Sequence, residues 1–515
     1  MNGPAATKAP SRPSALARAR ASTLRRLDRE VGGPARRRVV VLLALTLALD
    51  AADKATLGAV AAELQQSLGV TNLQLGVLAS ASLGVAGIAT LPIGLLTDRV
   101  NRVRLLVISI VGWAAALVVA GASTSFAMLL FARLGLGIVG ATAGPTLASL
   151  VGDYFPARDR GRAFGYVLTG ELIGAGFGFI AAGEITAVTS WRWGFWILVV
   201  PAAVMAWALA RHLPEPARGG ASRIPEGAEE IPTEAGGAPA DDEDAGLTLA
   251  QEVAEEEDVE PVEPLVLHDN PTRMRFRDAV RYVLSVRTNR VLIIASALGW
   301  FFFSGVRTFA VLFLRGHFGV GQAAATGLLA LIGAGALIGV LIGGRASDAV
   351  IARGRLNGRV IVAFIAYSLT PLLLAPGIAT TTLAVGLPLL VAGSLTLGAA
   401  NPPVDAGRLD VMHHRLWGRA EGVRTLFRTW AEASGPIVFG LVSQLLGPAG
   451  ATAPFAAQGA AQSGGASGTQ GLEYAFLVML APLAAGAFIG LRARHSYPSD
   501  VATAAESERH AQEDS

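Results

Sequence analysis

The feature that most constrains this chain is a series of twelve apolar segments, each long enough to cross a bilayer as an α-helix. Such a helix needs about 20 apolar residues. Because 52% of the residues are hydrophobic and only 16% charged, the chain has too few polar side chains to coat several soluble globules. The sequence therefore predicts an all-α integral membrane protein of twelve transmembrane helices in two six-helix halves. The predicted spans are 38–60, 73–97, 104–122, 125–150, 162–187 and 192–211, then 290–314, 322–346, 358–376, 382–406, 417–446 and 472–492.

Polar segments separate and flank the two sets of spans. The interval between the halves is acidic, with 17 Asp and Glu residues against two Arg between positions 212 and 270. Such a composition cannot bury enough apolar surface to fold by itself. We interpret it as a solvated spacer, with binding of a cation or a partner as the alternative. The predicted organisation is a disordered basic tail at 1–37, a half at 38–211, an acidic disordered linker at 212–289, a half at 290–494 and a disordered tail at 495–515.

Arginine residues mark one face of the predicted bundle. They cluster in the loops between spans 2 and 3, 4 and 5, 8 and 9, and 10 and 11, whereas residues 121–125 and 447–471 carry no charge. Arg-rich loops tend to remain in the cytoplasm. The pattern predicts a multi-pass plasma-membrane protein with both termini and the linker in the cytoplasm. A signal peptide is disfavoured for span 1 because Asp50 and Asp53 lie at its centre.

A short pattern occurs twice, 250 residues apart, at the Arg-rich ends of spans 2 and 8. In each copy a Gly precedes an Asp by four residues, and Arg residues follow. The Gly permits close approach of another helix, and the Asp can pair with an Arg as two halves rock. We therefore predict a conformational gate that includes Gly94, Asp98, Arg99, Arg102 and Asp348.

Ionisable side chains inside the spans are functional candidates, because an unpaired charge in the bilayer costs several kcal/mol. Asp50 and Lys54 are four residues apart on span 1 and can pair on one helix face. Both are candidate substrate ligands. Asp53 points away from Asp50, so it is either a proton or substrate site or a structural partner of Lys54 or Arg133. Arg133 stays charged and can hold a carboxylate without carrying a proton.

Further charges lie in spans 5, 7 and 11. Glu171 is surrounded by glycines, and a desolvated carboxyl can load and release a proton near neutral pH. Arg307 follows an aromatic run and could hold the anionic head of an amphipathic substrate. On span 11 and the end of span 10, a charged set is interpreted as a cytoplasmic gate or, alternatively, a structural cluster: Asp405, Arg424, Arg428 and Glu432.

Several functions are disfavoured by what the sequence lacks. There is no Cys, which excludes disulfides, thiol catalysis and Cys-bound metal. No phosphate-binding Gly-Lys-Ser/Thr loop occurs, so direct use of ATP is not expected. We expect no enzymatic activity, no bound metal or cofactor, and no nucleic-acid partner. The expected partners are the lipid bilayer and a small substrate, and the expected state is a monomer.

Three elements carry a resemblance to a known family. The segment Asp98-Arg99-Val100-Asn101-Arg102 resembles the loop 2–3 signature of the major facilitator superfamily. Span 4 reads Arg133-Leu-Gly-Leu-Gly137-Ile-Val-Gly140, which resembles that superfamily's span-four motif, an element associated with proton coupling. The Trp-rich segment 191–196 is also similar. This resemblance covers about 38–211 and 290–494 and implies alternating access between two halves.

Within that superfamily the motif order is most similar to the Spinster-like lipid transporters. The pair Asp53-Lys54 resembles their Asp-Arg pair, and Asn401-Pro402 resembles their exit from span 10. One departure is Gly140, which stands where that group usually has a Glu, so Glu171 is a candidate replacement. The resemblance implies a secondary transporter driven by an ion gradient, expected to be protons taken up by Asp53 or Glu171 with Arg133 modulating them. It also implies a hydrophobic or amphipathic substrate such as a lysophospholipid.

Three other functions remain open from sequence. A multidrug or metabolite exporter would share the same fold and motifs. A non-transporting receptor or scaffold would use the linker rather than the intramembrane charges. An intramembrane enzyme would need a nucleophile and base, and no such pair is evident.

Overall fold

The computed structural model of the chain describes residues 28–29, 31–97, 99–218, 222–231, 247–268, 271, 274–447 and 470–513. Its regular structure is helical throughout these residues. Backbone groups inside a bilayer must be satisfied within the segment itself, and an α-helix does this. Asp98, predicted as part of the gate, lies outside the described residues.

The first half consists of helices that cross the bundle six times. Helix α1 (Pro34–Ala59) is span 1 and leads into the short α2 (Ala61–Leu68). Spans 2 and 3 are α3 (Asn72–Thr97) and α4 (Arg102–Gly121), and span 5 is α7 (Ala157–Val188). Two spans are broken, span 4 into α5 (Phe126–Gly140) and α6 (Ala143–Tyr154), and span 6 into α8 (Trp191–Trp196) and α9 (Val199–His212).

The second half repeats this arrangement after the linker. The linker holds α10 (Leu249–Glu256) and ends with α11 (Phe276–Ser285). Spans 7 to 12 are α12 (Arg287–Phe318), α13 (Gln322–Ile351), α14 (Gly358–Ala379), α15 (Leu383–Asp410), α16 (Trp417–Leu446) and α17 (Gln470–Leu491), and α18 (Tyr497–Glu513) follows. Within the described residues, ten spans are apolar enough to cross a membrane on composition alone. Spans 1 and 11, α1 and α16, carry the charged residues considered below.

The internal repeat extends beyond the predicted gate pattern. Helix α2 ends at Gly69 and α12 ends at Gly319, and both glycines have a left-handed φ of 66°. Glycine adopts this conformation without the steric cost that a Cβ would impose. After each glycine the chain turns and starts the next span, at Asn72 in one half and Gln322 in the other. The equivalent turns lie 250 residues apart, as the gate patterns do.

Glycines allow the closest helix crossings within each half. Along α7, Gly170, Gly174 and Gly178 lie against the backbone of α1. An added Cβ would lie 2.1 Å from the Ala44 carbonyl oxygen at Gly170 and 2.1 Å from the Ala48 carbonyl oxygen at Gly174. Small residues at such positions let backbones approach and gain van der Waals contact, which drives helix association in lipid.

The two halves meet mainly toward the face opposite the chain termini. There Gln322 donates to the Ala59 carbonyl oxygen at 2.6 Å, and the Asn72 amide donates to Ser443 Oγ at 2.8 Å. Arg315 pairs with Glu63 between the halves in the same region. We call this the opposite face, and the face that bears the Arg-rich loops and the described ends of the chain the terminal face. The interface is therefore closed at the opposite face.

Parts of the linker are ordered against the first half, contrary to the expected disorder. The Arg36 guanidinium donates to the Ile224 carbonyl oxygen at 2.8 and 3.0 Å and pairs with Asp159 at 2.7 Å. The Ile224 amide in turn donates to the Tyr154 carbonyl oxygen at 2.7 Å. The prediction of disorder was wrong for these residues, because the Arg36 side chain and the Tyr154 backbone supply the partners that the polar segment lacks by itself.

The C-terminal segment is also ordered, as helix α18, rather than a disordered tail. Thr503 and Ser507 accept the linker amides of Val262 and Leu267 at 2.8 and 3.0 Å. Asp500 accepts the amide of Thr288 at 2.9 Å, at the start of span 7. Composition misled the prediction because the small and polar side chains of α18 are buried by contacts with distant parts of the chain.

The glycine crossings make a prediction about stability. Gly174→Ala places a methyl group against the Ala48 carbonyl oxygen and should lower the free energy of unfolding by about 1–3 kcal/mol. Gly176→Ala is the matched control, since a Cβ at Gly176 meets no atom within 4 Å. The free energy of unfolding of the control should be unchanged or higher by up to about 1 kcal/mol, because Ala has a higher helix propensity than Gly. Thermal unfolding in detergent measures both, and equal stability of the two variants would contradict the crossing.

Candidate functional site

Six charged side chains from four spans meet near the middle of the bundle, and they belong to both halves. Arg428 donates to Glu171 Oε1 at 3.1 Å, joining span 11 to span 5. Arg307 donates to Glu432 Oε1 at 2.9 Å, joining spans 7 and 11. Lys54 Nζ lies 2.5 Å from Asp50 Oδ2, one turn earlier on span 1. We call this set the central network: Asp50, Lys54, Glu171, Arg307, Arg428 and Glu432.

The central network is continuous across the interface between the halves. Lys54 interacts electrostatically with Glu432, Arg307 and Glu171 as well as with Asp50. Arg428 also lies 3.8 Å from the second carboxylate oxygen of Glu432. Three cations and three carboxylates therefore compensate one another, which reduces the cost of holding them inside a bilayer.

Exposure divides the central network into a sealed part and an open part. The side chains of Arg307 and Glu432 are less than 10% exposed. Those of Glu171 and Arg428 are 28% and 19% exposed, and Lys54 and Asp50 resemble them. These four side chains are therefore partly accessible, and a solute that reached them could contact them.

An aromatic surface adjoins the open part. The Arg428 guanidinium carbon lies 3.5 Å from the ring centroid of Trp300, a cation–π contact. Trp300 packs edge-on against Phe303, with centroids 5.5 Å apart. The aromatic run was expected beside Arg307, but Trp300 instead stacks under Arg428, because α16 crosses α12 at this level.

A second charged pair is sealed within the first half. Arg133 Nη1 lies 3.0 Å from both carboxylate oxygens of Asp53, and its Nη2 donates to Ser82 Oγ at 3.0 Å. Both charged side chains are at most 5% exposed. The two structural partners considered for Asp53 were Lys54 and Arg133, and the geometry selects Arg133. Ser82 was not anticipated, since a Ser on span 2 gives no signal of its partner in sequence.

The position on span 4 where a Glu is missing lies next to a carboxylate on span 1. A Cβ built at Gly140 would lie 3.5 Å from Asp50 Oδ1. Both residues line a small cleft with Thr46, Ser109 and Trp113. A carboxylate on span 1 thus lies at the place that a side chain at position 140 would enter. Glu171, the replacement considered from sequence, pairs instead with Arg428.

At the terminal face, an Arg at the start of the third span of each half pairs with an Asp that lies 51 residues further along the chain. Arg102 pairs with Asp153 and, at 2.7 Å, with Glu215. Arg359 pairs with Asp410 and, at 2.9 Å, with Asp348. Asp153 and Glu215 were not predicted, although the equal spacing in both halves could have indicated the Asp.

Other gate predictions have different outcomes. A Cβ at Gly94 would meet no atom within 4 Å, so the predicted close helix approach there is wrong in this arrangement. The inter-half contacts given above lie toward the opposite face and at mid-depth, away from this end of span 2. Arg99 is exposed. Arg424 pairs with Asp405 at 2.9 Å, whereas Arg428 and Glu432 lie deeper, in the central network.

One group among the described residues has donor atoms close enough to hold a metal: His413, His414 and Glu508. It lies at the terminal face, where α18 meets the loop before span 11. His414 Nδ1 lies 2.6 Å from Glu508, and His413 Nδ1 accepts the Arg415 amide at 3.1 Å. Burial lowers the pKa of His413 to about 4, so its ring is neutral and its proton lies on Nε2. This pattern fits a hydrogen-bonded clamp on α18 better than a metal site.

The sequence as a whole matches a known family over most of its length. The model of the Major Facilitator Superfamily matches residues 43–436, which run from within α1 through the linker to within α16. The chain belongs to this superfamily. It is accordingly a multi-pass membrane protein with the superfamily's helical fold, as the sequence predicted.

Among solved structures, a bacterial homolog to the human lysosomal transporter Spinster, in an inward-facing and occupied conformation, has a TM-score of 0.67 at 19% identity. It covers 91% of this chain and 98% of that chain. The nucleoside transporter NupG has a TM-score of 0.58 at 14% identity, covering 88% and 98%. At these identities the likeness concerns the fold alone. The fold is similar to that of a Spinster homolog, in agreement with the resemblance predicted from the sequence.

Curated relatives match over shorter stretches. The D-galactonate transporter of Escherichia coli O6:H1 is 30% identical over 178 residues, covering 34% of this chain and 41% of that protein. The probable 4-methylmuconolactone transporter of Cupriavidus pinatubonensis is 32% identical over 172 residues, covering 32% and 40%. The puromycin resistance protein of Streptomyces alboniger is 30% identical over 193 residues, covering 36% and 38%. The chain thus spans about two-fifths of the length of these relatives.

The sealed pair makes a prediction about stability. Asp53→Asn or Arg133→Gln leaves one buried charge without its counter-ion and should lower the free energy of unfolding by about 3–5 kcal/mol. The double variant should lose clearly less than the two single losses combined, because neither charge remains. Asp348→Asn is the control, since the Asp348 side chain is 55% exposed. This substitution should lower the free energy of unfolding by about 1 kcal/mol or less. Denaturation in detergent measures all four variants, and additive losses would argue against a coupled pair.

Proposed function

We propose that this protein is a secondary active transporter that works by alternating access between its two halves. The observation that carries the proposal is the Arg428–Glu171 ion pair, which joins the halves at mid-depth and is partly exposed. A rocking motion must break or stretch such a pair, so its strength depends on what occupies the space between the halves. Superfamily membership supports the same conclusion.

The proposed substrate is hydrophobic or amphipathic, with a lysophospholipid as the test case. Each cation of the central network already has a carboxylate partner, so a simple anion would have to displace one. A zwitterionic head could instead contact Arg428 and Glu171 together. The apolar part would lie along Trp300 and Phe303 and the largely apolar cleft beside Asp50.

A second candidate is an organic acid or drug transporter of the same fold. It is favoured by the similar proteins described above, a D-galactonate transporter, a probable 4-methylmuconolactone transporter and a puromycin resistance protein. In this case Arg428 or Arg307 would exchange its carboxylate partner for the substrate's own anionic group.

A transport assay with the purified full-length protein in liposomes distinguishes between these two candidate functions. Under an imposed pH gradient we expect movement of lysophosphatidylcholine and little movement of galactonate or puromycin. Arg428→Gln should reduce this transport, because it removes the link to Glu171 and the cation over Trp300. Transport of galactonate or puromycin without lysolipid would replace the first candidate by the second, and no transport of any compound would favour a receptor or scaffold.

We further propose that the transporter is coupled to protons and that Glu171 and Asp50, rather than Asp53, exchange them. A side chain that carries a proton needs contact with water, and its cationic partner must be able to move away when the proton binds. Glu171 and Asp50 are each more than a quarter exposed and each has one close cation. Asp53 is enclosed, with both oxygens held by Arg133, so its proposed role is to position span 1 against span 4.

The test of coupling is Glu171→Gln, which keeps an oxygen for Arg428 but cannot ionise. Across a difference of about 2 pH units, one coupled proton provides about 2.7 kcal/mol, equivalent to about hundredfold accumulation. The variant should lose most of this pH-driven accumulation yet retain exchange of labelled for unlabelled substrate without a gradient.

Glu184→Gln is the matched control, because Glu184 lies on the same helix α7 and is exposed. It should behave as the wild type in both assays. Full pH-driven accumulation by Glu171→Gln would exclude Glu171 as the carrier. The same measurement on Asp50→Asn then assigns the role to Asp50 or removes proton coupling from the proposal.

A further inference from the structure

Helix α11, at the end of the linker, is strongly amphipathic. Its apolar side chains occur at Phe276, Ala279, Val280, Val283 and Leu284, the spacing that forms one helix face. Ala279 and Val283 are fully buried against the bundle. Phe276 belongs to the same face but is 67% exposed. The apolar face therefore extends beyond the part that the protein itself covers.

Helix α11 lies directly before a membrane-spanning helix. It ends at Ser285, and span 7 begins only two residues later, at Arg287. The Tyr282 hydroxyl donates to the Leu265 carbonyl oxygen at 3.0 Å, which fixes the helix to the preceding linker. Because span 7 follows almost at once, α11 lies next to the end of a membrane-spanning helix.

The exposed charges along α11 and its flanking residues are almost all positive. The described segment 274–290 contains a single acidic residue, Asp278, and five arginines, all of them exposed. A guanidinium can bind a phosphate through two parallel hydrogen bonds. A basic cluster next to a transmembrane helix attracts anionic lipids. The five arginines are Arg275, Arg277, Arg281, Arg287 and Arg290.

We propose that α11 docks on anionic phospholipid headgroups of the surrounding membrane, with Phe276 inserted among the lipids and the arginines on phosphates. Two independent features support a lipid partner. Charge complementarity selects an anionic surface, and continuity with span 7 puts that surface within reach. Helices with an apolar face and basic flanks lie in the membrane interface in this way. The inference does not depend on which substrate is transported.

The test uses the detergent-purified full chain titrated with phosphatidylglycerol, and separately with phosphatidylcholine, with bound lipid counted by native mass spectrometry. The wild type should bind phosphatidylglycerol more tightly. Arg277→Gln/Arg281→Gln should weaken that binding on the order of twentyfold, since each surface arginine contributes roughly fivefold. Arg277→Lys/Arg281→Lys should retain most of the preference.

The matched control is Arg353→Gln/Arg355→Gln. These two exposed arginines lie on the same face, between α13 and α14, but not on an amphipathic helix. The control should keep wild-type lipid preference. Equal loss in both double variants would attribute binding to general surface charge, and no loss in either would exclude α11, so both results overturn the proposal.

Phe276→Ser gives an independent measurement that leaves all charges in place. It should weaken binding to phosphatidylglycerol and phosphatidylcholine alike, by removing the apolar insertion. Because Phe276, Arg277 and Arg281 are exposed, these variants should unfold at the wild-type temperature. Unchanged lipid binding by Phe276→Ser together with unchanged binding by the arginine variant would leave α11 with no membrane contact and refute the proposal.

Discussion

Charges held inside the bilayer must be compensated by other charges, and much of this structure follows from that requirement. Asp53 and Arg133 meet the requirement within one half, in a pair that is closed to water. Glu171 and Arg428 meet it across the interface between halves, where both stay partly exposed. The first arrangement favours one fixed geometry. The second makes the relative position of the halves depend on electrostatics, because moving them apart would separate Glu171 from its close cation.

Close helix packing and the ion pairs at the terminal face hold each half together. Glycines such as Gly174 hold span 5 against span 1 at backbone contact, so each half behaves as a packed unit. At the terminal face, Arg102 and Arg359 each bind an Asp from the fourth span of their own half. The linker and α18 add further contacts to each half separately. Polar links between the halves lie at the opposite face and, at mid-depth, in the central network.

Much of the architecture could be predicted from local patterns. Apolar length predicts the spans, and the repeated Gly-x-x-x-Asp pattern predicts two similar halves, since both depend on residues close in sequence. The partner of a charged residue depends on helix rotation and crossing, which the sequence does not specify locally. For this reason Arg428 was placed in a gate with Arg424, although it pairs with Glu171 from the other half. Disorder of α18 was predicted for the same reason, because its partners lie far away in the chain.

The sequence by itself determined that this chain enters a membrane, crosses it in two sets of six helices and carries a few costly intramembrane charges. Those properties follow from composition and spacing, which govern partition into lipid. Only the tertiary structure decided which charge meets which, that Asp50 lies beside Gly140, and that Phe276 remains exposed on a helix face where Ala279 and Val283 are buried. Each of these depends on distances between segments remote in sequence, and such distances are set by the packing of the whole bundle.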